Sequence, residues 1–139
     1  MSDNGRPALI PRRLINQMLA QAQQSPGAEI CGLIGARDGH PRHCYPVANA
    51  ARQPAHRYQM DPAGQIAAMR RLRERDENLY AIYHSHPDTP PTPSAEDLRQ
   101  AAYPDALYII VSLATEGTLE LRAFRLRNDG CEAIDIVLE

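Results

Sequence analysis

At 139 residues with 43 % hydrophobic side chains, the chain has material for one buried core, and the reading is a single domain over residues 1–139. Its 15 basic side chains, all arginine, face 17 acidic ones for a formal charge of −2, so no overall field draws it to nucleic acid or to anionic lipid. Cys31, Cys44 and Cys131 are odd in number and form no C-x-x-C pair, which argues against a disulfide framework and a thiolate zinc site and fits a reducing cytoplasm.

The N-terminal MSDNGRPALIPRR lacks the charged-then-apolar run of a signal peptide, and no stretch approaches the ~20 apolar residues of a membrane helix. After a short start at Ala8 to Ile10, Pro11 opens a segment in which Leu14, Ile15, Met18, Leu19 and Ala22 share one helical face, and SPG at 25–27 stops it. EICGLIGARDG reads as a strand ending in a turn, RHCYPVANA as its partner, followed by a polar connection through Gln53 and Pro54. Asp61 and Pro62 supply an N-cap and first residue for a second helix, with Ile66, Met69 and the Arg73 stem predicted on its inner side. LYAIYH at 79–84 and ALYIIVSLA at 106–114 are apolar on both alternating faces, as central strands covered on two sides are. TLELRAFRLR changes phase between Leu121 and Phe124, which predicts a bulge near Ala123, and AIDIVLE is the last strand. Helices interleaved with strands early and a run of strands late predict an α/β chain with a mixed sheet.

The chemistry concentrates in HSHPDTPPTPSAED, residues 84–97. His84 and His86 stand where a buried strand runs out, and a period of two puts both imidazoles on one side. Zinc accepts imidazole nitrogen and carboxylate oxygen and keeps a position open for water in catalytic sites, so a third ligand is needed. Asp97 can supply it, returned by a loop that Pro87, Pro90, Pro91 and Pro93 stiffen. Each part alone has an ordinary explanation: H-x-H pairs are commonly surface or satisfied core residues, and Ser94-x-x-Asp97 is also a helix-capping pattern. Their conjunction points to a catalytic metal. Among the acids, Glu29 alone is attached to a strongly apolar strand; Glu74, Glu77, Glu116, Glu120 and Glu132 lie in charged or alternating segments. Ser85 points to the opposite side and reads as packing, Cys31, Cys44 and Cys131 as small buried hydrophobes, and His40, His43 and His56 as solvated.

HSHPDTPPTPSAEDL resembles the signature of the JAMM, or MPN-plus, zinc peptidases, H-S-H-P followed by P-S-x-x-D, and AEICGLIG looks like that family's upstream E-x-C-G element. NAARQPAHRYQMDP, YAIYHSHP and YPDALYIIVSL extend the likeness to the family's short bacterial branch, which includes peptidases acting on ubiquitin-like sulfur-carrier proteins. The resemblance implies an α/β MPN (JAMM) fold, a mixed, curved sheet of about six to eight strands against two to three helices, cytidine-deaminase-like in general architecture. It implies one Zn2+ per chain on His84, His86 and Asp97, Glu29 as general acid/base, Ser94 as oxyanion donor, and Arg57 and Tyr58 in a substrate groove. It implies, as substrate, a ubiquitin-like sulfur-carrier protein ending in Gly-Gly from which cysteine or a short extension is released. Rival readings are an isopeptidase acting on lysine conjugates with the same site and a non-catalytic MPN scaffold. A zinc nucleoside deaminase is set aside, since neither H-x-E nor P-C-x-x-C occurs.

Overall fold

A computed structural model describes residues 6–114, 119–127 and 130–139; Glu116 and the first five residues lie outside the described residues. Among the described residues, eight strands and three helices follow in the order β1 (Ala8–Ile10), α1 (Arg12–Gln24), β2 (Cys31–Arg37), β3 (His40–Val47), α2 (Pro62–Glu74), β4 (Asn78–His86), α3 (Ala95–Gln100), β5 (Leu107–Ser112), β6 (Glu120–Arg127), β7 (Gly130–Ile134) and β8 (Ile136–Leu138). Six strands form one sheet in the order β3-β2-β4-β5-β6-β7, and β1 pairs with β8 in a second. Only β4 and β5 are parallel within the large sheet, so it is mixed as expected, with the two most apolar strands at its centre. Among the described residues no helix is long and apolar enough to cross a membrane.

The sheet is covered on both faces, and strand alternation divides the core accordingly. Ala81 and Tyr83 of β4 join Leu14, Met18 and Ala22 of α1 on one face. Ile82 joins Ala68 and Leu72 of α2 on the other. The period of two therefore carries His84 and His86 onto the α2 face, beyond Ile82, while Ser85 turns towards the α1 face. β2 and β3 close through Asp38 and Gly39, at φ 53° and 80°, the positive pair required by a two-residue hairpin turn.

Three expectations are corrected. The inner face of α2 is Ala68 and Leu72 with Met69 at its edge; Ile66 is 62 % exposed and Arg73 faces solvent. Asp61 does cap the helix, accepting from Gly64 N at 2.9 Å, and the phase it starts in rotates Ile66 outward. No register shift occurs at Ala123: Leu121 and Ala123 face one core and Phe124 and Leu126 the other, so the change of phase records a strand buried on both sides. The shifts fall instead in β2 around Gly35, against both neighbours. AIDIVLE divides at Asp135, whose carbonyl accepts from Ala8 N at 2.7 Å as the chain passes from the large sheet to β1.

Gly32 lies opposite Tyr83, and a Cβ there would stand 2.2–2.6 Å from the fully buried phenol ring. Gly32→Ala is expected to cost about 1–3 kcal/mol, the usual penalty of overpacking, read as a lower urea midpoint at unchanged m-value.

Candidate functional site

Four strands and loops converge at the end of β4. Cys31, the first residue of β2, pairs with His84, which sets Glu29 beside the histidines. The join is fixed twice: Ser85 N donates to Ile30 O at 3.0 Å, and Ile30 N donates to Ser85 Oγ at 2.9 Å. Ser85 is thus a buried clamp between β4 and the residues that lead into β2 and points away from the histidines, as its alternation requires.

The proline loop is tied down along its length. Leu113 N donates to His86 O at 3.1 Å, Ser112 Oγ to Thr89 O at 2.7 Å, and Thr92 N to Pro90 O at 2.8 Å. It delivers Ser94 as the N-cap of α3. Ser94 Oγ accepts from Asp97 N at 3.0 Å and Asp97 Oδ2 from Ser94 N at 2.9 Å, a complete capping box. Capping and site formation are not alternatives, because the same Asp97 Oδ2 lies 3.2 Å from His84 Nε2 and 3.1 Å from His86 Nε2.

The protons decide what this triangle fits. His86 Nδ1 stands 2.9 Å from Pro90 O, and a carbonyl only accepts, so Nδ1 carries the hydrogen. With the ring neutral, Nε2 is a lone pair facing Asp97 Oδ2 and, at 3.1 Å, His84 Nε2; with the ring charged, Nε2 donates to Asp97 Oδ2 instead. Either a shared proton or a metal cation lets three such atoms stand this close, and a cation can accept all three at once. A tetrahedron with bonds of about 2.0–2.1 Å to nitrogen and oxygen has edges near 3.3 Å, close to the spacing found. Glu29, 6 % exposed, closes the cluster: one ligand atom from each of Glu29, His84 and His86 lies within 4.8 Å of the others, a group able to hold a metal ion. Glu29 Oε1 and His84 Nδ1 are buried and without a hydrogen-bond partner among the described residues.

Titration follows the same layout. Burial pushes the Glu29 carboxyl up to about 7, with Asp97 adding to the rise and His86 and Arg57 opposing it. Burial disfavours charge on His84 and lowers its pKa, which keeps it in the neutral form a metal ligand needs. Burial also works against His86, but the bonds to Asp97 and Pro90 prevail and raise it. Asp97 meets the same penalty, yet hydrogen bonds from both imidazoles and from Ser94 hold its carboxyl well below the usual carboxylate range. Tyr58 stacks on His84 at 4.4 Å between ring centroids, 23° from parallel, and walls the site on one side.

Glu29, His84, His86, Ser94 and Asp97, singled out in the sequence, are brought together. Tyr58 joins them, and Arg57 stands on an exposed loop near enough for its charge to act on Glu29. Cys31 is buried and inert, its thiol pushed up to about 12 by burial and by Glu29. Cys131 is exposed, contrary to expectation, and Cys44 only half-buried. Glu77 is a further buried carboxylate, concealed by the charged run: it is 3 % exposed, accepts from Tyr45 OH at 2.6 Å and pairs with His43. His43 keeps 44 % of its side chain exposed, as a solvated histidine does, but its Nδ1 is bound to that carboxylate. Asn49 was missed as well. Its Nδ2 donates to Glu29 O at 2.9 Å and Arg57 O at 3.0 Å, while its Oδ1 accepts from Ala51 N and Gln59 N. A single asparagine in a polar connection gives no signal in the sequence.

A family model described as prokaryotic homologs of the JAB domain matches residues 11–127. The "CysO-cysteine peptidase" of Mycobacterium tuberculosis is 36 % identical over 115 residues, 81 % of this chain and 78 % of that protein. The "probable TtuB-protein conjugate cleaving protease" of Thermus thermophilus is 32 % identical over 135 residues, 97 % of this chain and 86 % of that protein. In fold alone, the chain is similar to the crystal structure of AF2198, a JAB1/MPN domain protein of Archaeoglobus fulgidus, with TM-score 0.58 and 18 % identity over 96 % of this chain and 100 % of the other.

Proposed function

Because the chain belongs to the family of prokaryotic JAB-domain homologues, we propose that it is a zinc-dependent peptidase that hydrolyses the peptide bond after the C-terminal Gly-Gly of a ubiquitin-like sulfur-carrier protein, releasing cysteine or a short extension. The observation that carries the reading is the triangle of His84 Nε2, His86 Nε2 and Asp97 Oδ2, 3.1–3.2 Å on each edge, with the carboxyl of Glu29 buried beside it. The Mycobacterium tuberculosis relative, named for CysO-cysteine, supports the substrate class. Three free thiols support a cytoplasmic setting.

His84, His86 and Asp97 would hold one zinc per chain, and such an ion would supply Lewis-acid polarisation of the scissile carbonyl and a more acidic water near neutral pH. Glu29 moves the protons. Buried beside the histidines, with Oε1 free of any partner among the described residues, it can take a proton from the attacking water and return one to the departing amine. Tyr58 shields the His84 face from solvent, and Arg57 and Tyr58 border the path of the substrate tail. Ser94 Oγ spends its lone pair on Asp97 N, which leaves its own hydrogen to donate to the oxyanion.

Incubating the zinc-loaded protein with CysO–cysteine and weighing the products tests the reading: loss of the terminal cysteine is expected, and an intact conjugate contradicts it. The Thermus relative's name favours a second reading, cleavage of protein conjugates, in which the same site expels a lysine amine. A purely scaffolding role has nothing to recommend it, since every liganding position is filled.

Ser94→Ala is expected to lower kcat about 10²–10³-fold, as removal of one oxyanion donor does. It should also cost about 1 kcal/mol through loss of the helix cap, with zinc retained. Ser94→Thr, which keeps the hydroxyl, should restore both the rate and the urea midpoint.

A further inference from the structure

Nothing so far accounts for the leaving group's own charge. The loop that follows β3, whose backbone is bonded to that of Glu29, forms an open cavity of about 410 Å3 lined by Ala51, Arg52, Gln53, Arg57 and Gln59. No acid lines it. Both arginines are exposed, and among the described residues neither guanidinium is in a salt bridge. The groove on the far side, between Tyr58 and Met60, Ile82, Tyr103 and Tyr108, carries no charged side chain and offers an anion nothing.

The cavity is built onto the catalytic strand. Glu29 N donates to Pro54 O at 2.7 Å, Asn49 Nδ2 joins Glu29 O to Arg57 O, and Arg57 N closes the turn onto Gln53 O at 3.2 Å. The backbone that places the acid therefore places the arginines too. We propose that this cavity is a subsite for the free α-carboxylate of the residue that leaves, gripped by Arg52 and Arg57.

Covalent geometry supports the location. Resting on the reading of Glu29 as proton donor to the departing amine, that amine must lie against Glu29. In a released amino acid the carboxylate sits on the same carbon as the amine, so its oxygens fall within roughly 4 Å of that nitrogen. Guanidinium forks suit a carboxylate, and Asn49 ties the Arg57 backbone directly to that of Glu29. A lysine side chain leaving from an isopeptide brings no free carboxylate to this point. The subsite would thus select C-terminal extensions over conjugates.

The test is a binding measurement on zinc-loaded Glu29→Gln protein, titrated with Gly-Gly-Ser and with its C-terminal amide while the arginine Nε–H signals are followed by NMR. Serine stands in for cysteine to avoid thiol ligation of the metal. The free acid is expected to bind at least tenfold more tightly and to shift the Arg52 and Arg57 signals, and Arg52→Gln/Arg57→Gln protein should bind the two peptides within twofold of each other. Equal affinities in the parent protein, or a tenfold preference that survives in the double variant, overturn the subsite. Either result leaves cleavage of CysO–cysteine by the wild-type protein to stand or fall separately, since binding here requires no turnover.

Discussion

Glu29→Gln is expected to lower kcat by about 10²–10⁴-fold, the range for loss of one positioned general acid/base, while the protein keeps its zinc and its fold. Glutamine matches the carboxyl in shape but cannot exchange a proton. The structure explains why the fold should survive: Glu29 Oε1 has no partner to lose among the described residues, and its backbone, held by Asn49 and Pro54, is untouched. The pH dependence of the metal-free protein gives an independent check. The Glu29 carboxyl rises from 4.5 to about 7 on folding, so between those values the folded state holds more protons than the unfolded one. Stability contributed by that proton is therefore present below about 4.5 and is lost as pH rises through about 7. Glu29→Gln should lack this loss, and urea unfolding of metal-free protein at pH 5 and pH 8 would show a smaller decline in the variant. A variant with wild-type kcat would remove Glu29 from the chemistry.

The sequence was most informative where one local rule acts alone. Period two on a strand placed His84 and His86 together, and the proline loop with its Ser94-x-x-Asp97 pattern led to the third member of the triangle. It was least informative where two rules predict the same letters. A strand buried on both faces looks like a strand that changes register, so the sequence of β6 suggested a bulge that its pairing does not contain. On α2, a rotation by one residue exchanges Ile66 for Ala68 as the core-facing side chain, and both choices leave an amphipathic pattern. Glu77 was hidden for a different reason: Asp76 takes φ 56°, and the chain then enters β4 with Glu77 buried beneath Tyr45. Composition of the RRLRERDEN run cannot reveal that turn.

Removal of the metal should act on stability as well as on turnover. The fold holds the three convergent atoms 3.1–3.2 Å apart whether or not a cation is present, so a bound cation meets a site already assembled. Zinc at a thousand times its dissociation constant stabilises a protein by about 4 kcal/mol, so a chelator should lower the melting temperature by roughly 10 °C and abolish cleavage, and excess zinc should restore both. Asp97→Ala separates the two roles of that carboxylate. In chelator it loses only the cap of α3, about 1 kcal/mol. In zinc it loses the ligand too, so its deficit against wild type should grow severalfold. His86→Ala, which leaves the capping box intact, should match wild type far more closely in chelator than in zinc. If scanning calorimetry finds the same melting temperature for the wild-type protein with chelator and with zinc, and cleavage persists in both, the site does not hold a working metal and the assignment of its three ligands fails with it.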